Sequence, residues 1–119
     1  MKKGGEARVV LVTCGSLKES RAIAQSVVKK QLAACVNISL RAVESVYRWR
    51  GKVEKAREYA LVMKTTAGRL EELEREVKRL HSYDVAEFVA LKVAEGSTEY
   101  LEWIWECVGK ERKRPETGL

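Results

Sequence analysis

Two long extended segments meeting at one glycine constrain this chain more than anything else in it. In "VNISLRAVESVYRWRGKVEKAREYALVMKTT", Val36, Ile38 and Leu40 alternate, and beyond them Val43, Ser45, Tyr47 and Trp49 share a face. The shift of phase predicts a bulge or bend near Arg41. "WRGKVE" supplies a turn through Gly51, and a return strand is expected from Val53 to Thr65, with Tyr59, Leu61 and Met63 on one face. Each arm is about 13 residues, or about 40 to 45 Å of strand. A compact domain of this length has a radius of gyration of about 13 to 14 Å, hence a width of roughly 35 Å. The hairpin must therefore bend or overhang its own domain. Its far part carries Tyr47, Trp49 and Tyr59, and an exposed strand edge invites pairing. Docking on a second copy of the chain answers both, so these rings are expected at an oligomer interface.

The flanking segments complete the pattern. "RVVLVT", residues 8–13, is a β-branched run that fits a strand buried on both faces. Ser16 and Glu19 have capping-box spacing, so a helix is expected to start there and end near "LAAC", with Ile23, Val27, Val28 and Leu32 inward. Thr66 is the expected cap of a second helix with the stripe Leu70, Leu73, Val77 and Leu80. "AEFVALKVA" predicts a strand over about Glu87 to Ala94, and "EGSTEYLEWIWECVG" a third helix capped by Ser97 or Thr98 and stopped by Gly109. The order β-α-β-β-α-β-α places the chain in the α+β class, with a ferredoxin-like β-α-β-β-α-β unit followed by a C-terminal helix. In that last helix only Glu99, Glu102 and Glu106 are polar; Trp103, Trp105 and their apolar neighbours need cover on more than one side, a second reason to expect self-association, with Trp105 at the interface.

A chain of 119 residues predicts one domain, here residues 7–109, between a basic tail at 1–6 and a charged tail at 110–119. No stretch reaches the roughly 20 apolar residues of a membrane span, and the start of the chain lacks the features of a signal peptide. Cys14, Cys35 and Cys107 are odd in number and widely spaced, so a cytoplasmic protein with reduced thiols is expected, without a disulfide framework or zinc finger. Charged residues make up 34% of the chain against one Asn and two Gln, a balance typical of heat-adapted proteins. Much of the net charge of +6 lies in the two ends and reads as solvated tails. The aromatic and glycine signatures of RNA-binding strands are missing, so no nucleic-acid partner is expected. The loop "CGSLKES" has one glycine and cannot cradle phosphates, and no nucleophile is paired in a motif with the single histidine, so catalysis is not expected.

His81, in "LHSYDVAEF", is that histidine. It stands where the second helix should end, and a cation there interacts favourably with the helix dipole. Copper or zinc needs three or four donors, so His81 cannot hold either alone. Cys14, Glu58 and Asp84 are the candidates to complete a site, with a neighbouring subunit as a further source of ligands.

"LAACVNI", "SVYRWRGKVE", "EYALVMKT", "LHSYDVAEFVALKV" and "YLEWI" occur in the order and spacing of the CutA family of divalent-cation tolerance proteins, and the resemblance covers residues 8–108. The chain is identified as a member of that family. The resemblance implies a ferredoxin-like fold, a tight homotrimer related to the PII signalling architecture, a cytoplasmic location and a link to copper, Cu(II), and other divalent cations, with no obligatory cofactor. Glu58 and Lys64 fall in one family motif at an even separation. They suggest a polar cleft between subunits, lined also by Tyr83 and Trp103, or an ion pair locking the assembly. Prolines usual in the family are Ser82 and Ala86 here, the second adjacent histidine of some members is Leu80, and a cysteine that some members place near the end of the first strand falls at Val12, two residues before Cys14. Three functions stay open: metal tolerance through binding at subunit clefts, PII-like signalling with a small anionic ligand and metal incidental, and a purely structural trimer.

Overall fold

The computed structural model describes residues 1–109, so the charged tail expected at 110–119 lies outside the described residues. Strands β1 (Lys2–Lys3), β2 (Ala7–Cys14), β3 (Cys35–Ile38), β4 (Val43–Trp49), β5 (Lys52–Thr66), β6 (Val89–Lys92) and β7 (Glu95–Gly96) alternate with helices α1 (Leu17–Lys29), α2 (Leu70–Leu80) and α3 (Thr98–Val108). The main sheet runs β3-β5-β2-β6, with β4 pairing on β5 beyond β3. All of its pairings are antiparallel. This is the expected ferredoxin-like order with an added helix.

Strand β5 is the spine of the sheet. Its second half pairs with β2 over eight positions, from Ala7 opposite Thr66 to Cys14 opposite Tyr59. On its other edge it pairs first with β4 and then with β3. Alternation then sorts the side chains. Val10, Val12 and Cys14 from β2 and Leu61 and Met63 from β5 face α1 and α2, where they meet Ile23, Val27, Leu73 and Val77 in one core. Helix α3 lies on the reverse face and buries Leu101, Ile104 and Val108 against Ala7. The rest of that reverse face is apolar and thinly covered: Val9, Leu11, Val62, Val89 and Leu91 share it by register, and Val89 and Leu91 are exposed.

The hairpin closes as a two-residue turn, Arg50-Gly51, with φ of +50° and +80° between the paired Trp49 and Lys52. Positive φ at both positions is the geometry whose twist suits a hairpin, and glycine takes it without strain. The interruption predicted near Arg41 is real. Ile38 pairs with Leu61 and Val43 with Glu58, so four residues on one strand span two on the other. Ser39 closes the bulge: its N–H donates to the Ala60 carbonyl at 2.9 Å and its Oγ accepts from the Ala60 N–H at 2.8 Å. An even surplus keeps the pleat in phase. The apolar pattern shifts because the hairpin turns its apolar residues to the opposite face from β3. The molecule extends 50 × 35 × 26 Å with a radius of gyration of 15.7 Å, larger than the compact expectation because the hairpin projects.

Several local expectations change. Helix α1 stops at Lys29, before "LAAC", in a C-terminal motif with Gln31 at φ +60°. The N–H groups of Leu32 and Gln31 donate back to the Val27 and Val28 carbonyls at 2.8 and 3.0 Å. Val28, expected inward, is exposed because the buried stripe of α1 runs through Ser20, Ile23, Ala24 and Val27. Thr66 precedes a 3-10 turn over Ala67–Arg69 and makes no side-chain cap. The strand expected over Glu87 to Ala94 shortens to β6, because the chain then leaves the main sheet and pairs through β7, beyond the expected range, with β1. The N-terminal tail expected at 1–6 is therefore ordered in part: Lys2 and Lys3 pair with Gly96 and Glu95.

Between α1 and α2 the buried Glu76 carboxylate accepts from Ser26 Oγ at 2.5 Å, Lys30 Nζ at 2.9 Å, and Arg79 Nε and Nη2 at 2.8 and 2.7 Å. Those donors, Arg79 first, hold its carboxyl well below the usual range against the opposing effect of burial.

Candidate functional site

The end of β2, the start of α1 and the end of α2 converge because the β2 pairing places Cys14 at the last sheet position before the turn into α1. Ser16 caps α1 by accepting from the Glu19 N–H at 3.1 Å. The Glu19 carboxylate does not complete the capping box. It turns to the loop after α2, where it accepts from Ser82 N–H at 3.0 Å and Ser82 Oγ at 3.2 Å. His81 ends α2, its N–H donating to the Val77 carbonyl at 2.9 Å. The expected boundary role of His81 is met, and its side chain is buried as well.

Both ring nitrogens of His81 are engaged. Tyr83 N–H donates to Nδ1 at 3.1 Å, so the ring proton sits on Nε2, which donates to the Thr13 carbonyl at 2.7 Å. Glu19 Oε2 lies 3.7 Å from Nδ1. A thiol, a carboxylate and an imidazole are thereby gathered: donor atoms of Cys14, Glu19 and His81 all lie within 4.8 Å of one another. The set mixes the soft and borderline donors that copper and zinc prefer. Each donor already has a protein partner, so binding a cation there requires release of the Tyr83 N–H from Nδ1 and loss of the thiol proton.

That thiol is not activated. Burial pushes Cys14 up to about 11, against a smaller lowering by a hydrogen bond with Ser20. No motif paired Cys14 with His81 as nucleophile and base; they do meet, but a catalytic cysteine needs a depressed value and this one is raised.

In front of this cluster lies an open cleft of about 570 Å³ between the hairpin and the loop at 83–87. Thr13 and Tyr83, the two residues that hold the His81 ring, form part of its wall. Glu58 lines it and is 8% exposed. Tyr83 is pushed up to about 12, first by burial and then by its hydrogen bond to the Glu58 carboxylate. Asp84, Tyr47 and Trp49 also line the cleft.

The candidate residues therefore divide. Cys14 and His81 come together, whereas Glu58 and Asp84 stand in the cleft and Glu19 supplies the carboxylate of the cluster. Glu19 was read only as a capping residue; its second role was not legible because Ser82 meets it from 63 positions away in the chain. Lys64 and Trp103 do not line the cleft. Lys64 sits beside β3 and donates to Asn37 Oδ1, about 20 Å of strand from Glu58, so no ion pair joins them within one chain. Trp103 stacks on Tyr100 at 5.5 Å on α3, across the sheet from the helices. Of the expected interface rings, Tyr47, Trp49 and Trp105 are 43%, 41% and 43% exposed, but Tyr59 is half-buried beside Cys14.

Residues 8–107 match the family model of the CutA1 divalent ion tolerance protein. A divalent-cation tolerance protein CutA from Thermus thermophilus is 46% identical over 101 residues, covering 85% of this chain and 97% of that one. A chloroplastic protein CutA from Arabidopsis thaliana is 45% identical over 96 residues, covering 81% of this chain and 52% of that one, so the chain spans about half the length of this plant relative. A solved structure of the divalent cation tolerance protein Cut A1, also from Thermus thermophilus, superposes with a TM-score of 0.84 at 46% identity, covering 87% of this chain and 99% of that one. Motif order, fold and family match agree: the chain belongs to the CutA1 divalent ion tolerance family.

Proposed function

We propose that this protein serves divalent-cation tolerance by binding the cation, copper or zinc, at Cys14, Glu19 and His81 behind the cleft wall, as a cytoplasmic homotrimer and without catalysis. The observation that carries the reading is the convergence of those three donors within 4.8 Å. His81 is tied to Thr13 and Tyr83, both in the cleft wall, so a cation that captures Nδ1 frees the Tyr83 N–H and loosens the loop that bounds the cleft. Binding thereby reaches the surface that partners see. Self-association is supported by the thinly covered apolar face at Val9, Leu11, Val62, Val89 and Leu91 and by the exposed rings of α3. No helix among the described residues is long and apolar enough to cross a membrane.

The PII-like alternative, a small anionic ligand at clefts between subunits, draws no support from the cleft within one chain. The lining includes Glu58, Asp84 and Glu87 and no lysine or arginine, so an anion would enter against like charge. A purely structural trimer requires that neither metal nor small ligand binds.

The test is calorimetric titration of the reduced protein with Zn(II) and, with thiol oxidation controlled, Cu(II), repeated on His81→Ala, with mass by light scattering. A saturable site lost in the variant, at an unchanged mass near three times the 13.5 kDa chain, is the expected result. Weak binding that His81→Ala leaves unchanged would overturn the metal reading, and a mass of one chain would overturn the trimer.

A further inference from the structure

The cleft has a character that metal binding behind it does not explain. Its charged groups are all acidic, Glu58, Asp84 and Glu87, in a chain whose net charge is +6. Its larger side walls are the aromatic rings of Tyr47, Trp49 and Tyr83. Glu58, 8% exposed, lines the cleft together with Tyr83. A hydrated metal ion gains little from aromatic walls and seeks several converging oxygens. An organic ammonium suits both features: its charge is spread over an apolar shell, which the ring faces attract, and the carboxylates neutralise it. The volume of about 570 Å³ lies in the range of small-molecule sites. The chain itself supplies an instance of the chemistry, since the Arg50 guanidinium lies 5.6 Å from the centre of the Trp49 ring.

We propose that the cleft between the hairpin and the loop at 83–87 binds a free small organic cation of the alkylammonium class, with Tyr47 and Trp49 facing its apolar shell and Glu58 supplying the counter-charge. This site is separate from the metal cluster: it uses none of Cys14, Glu19 or His81.

The experiment titrates the intact oligomer with tetramethylammonium chloride at constant ionic strength, following the Trp49 indole N–H by nuclear magnetic resonance. Assignment rests on Trp49→Phe, and tert-butanol serves as the neutral analogue. The expected result is a saturable shift confined to Trp49 among the three tryptophans, absent with tert-butanol and weakened about tenfold in Glu58→Gln. Cys14→Ser, which removes a donor of the metal cluster, should leave it unchanged, so failure of the metal reading and failure of this one are told apart. Tyr47→Leu, at an exposed position that leaves the Trp49 reporter in place, is expected to weaken binding several-fold and replaces Glu58→Gln if that variant does not fold. An equal response to tert-butanol, no saturable shift, or undiminished affinity in the cleft variants would overturn the proposal. So would binding seen only in the Arg50→Gln, Lys52→Gln double variant, which would show that hairpin cations of the assembly already fill the cleft.

Discussion

If Cys14 ligates the cation it must lose its proton, and its burial sets how steeply binding depends on pH. With the thiol at about 11, about one molecule in 10⁴ is ionised at pH 7, and forming the thiolate there costs about 5 kcal/mol. A thiol at the ordinary 9.0 would need about 3 kcal/mol, so burial lowers the affinity at this site roughly a hundredfold. Zn(II), which is not reduced by thiols, is the suitable probe. Calorimetry at pH 6.5, 7.2 and 8.0, in buffers of different ionisation enthalpy, should show affinity rising about tenfold per unit and one proton released per metal. Cys14→Ser should flatten that dependence. A flat profile shared by the wild type and Cys14→Ser would refute the assignment of Cys14 as a ligand. The same burial acts on the metal-free fold at high pH. A raised folded value means that the contribution of the protonated thiol is complete below pH 9 and is lost as pH rises towards about 11, so urea midpoints should fall over that window and not in Cys14→Ser.

Three further outcomes follow from the scaffold. Glu76→Gln should lose about 1 to 2 kcal/mol at pH 7, a figure discounted because Lys30 and Arg79 are half exposed, and the deficit should shrink as pH falls below the usual carboxylate value of 4.5 towards the depressed folded one. Urea denaturation at matched protein concentration would show it, and a deficit constant down to pH 2 would count against the linkage. Gln31→Gly should stabilise the protein by about 0.5 to 1 kcal/mol, because the helix stop holds a side chain at φ +60°; a lower melting temperature would contradict this. Ser39→Ala should cost about 1 kcal/mol by leaving the Ala60 N–H without its acceptor, with amide exchange accelerated at Ala60 ahead of Leu61 and Met63.

Periodicity made the elements legible. The alternation in β5, the stripe Leu73 and Val77, and the phase shift after Leu40 each led to the right element in nearly the right place. Boundaries failed where backbone geometry overrode side-chain type. Gln31 takes a conformation usually announced by glycine, so nothing in "KKQLAAC" marked the end of α1. The site was half legible. His81 and Cys14 stood out as the chemistry-bearing side chains, but the carboxylate that joins them had already been given a local role as a cap. Glu58 and Lys64 illustrate the converse: a shared motif and even spacing placed them on one face, and six residues of extended strand still kept them apart.

The two-residue surplus between Ile38 and Val43 also bears on how the chain folds. The β4–β5 hairpin needs only the Arg50-Gly51 turn to close and can zip within microseconds. Zipping meets a natural stop at Val43 and Glu58, since the next pair, Ile38 with Leu61, lies two residues out of step. The partners of β2, by contrast, lie more than 40 positions away in sequence, and closing those loops is slow. The expected course is an early hairpin and a late insertion of β2, with β6 following because it pairs on β2, so the cation site that begins at Cys14 is assembled only late in folding.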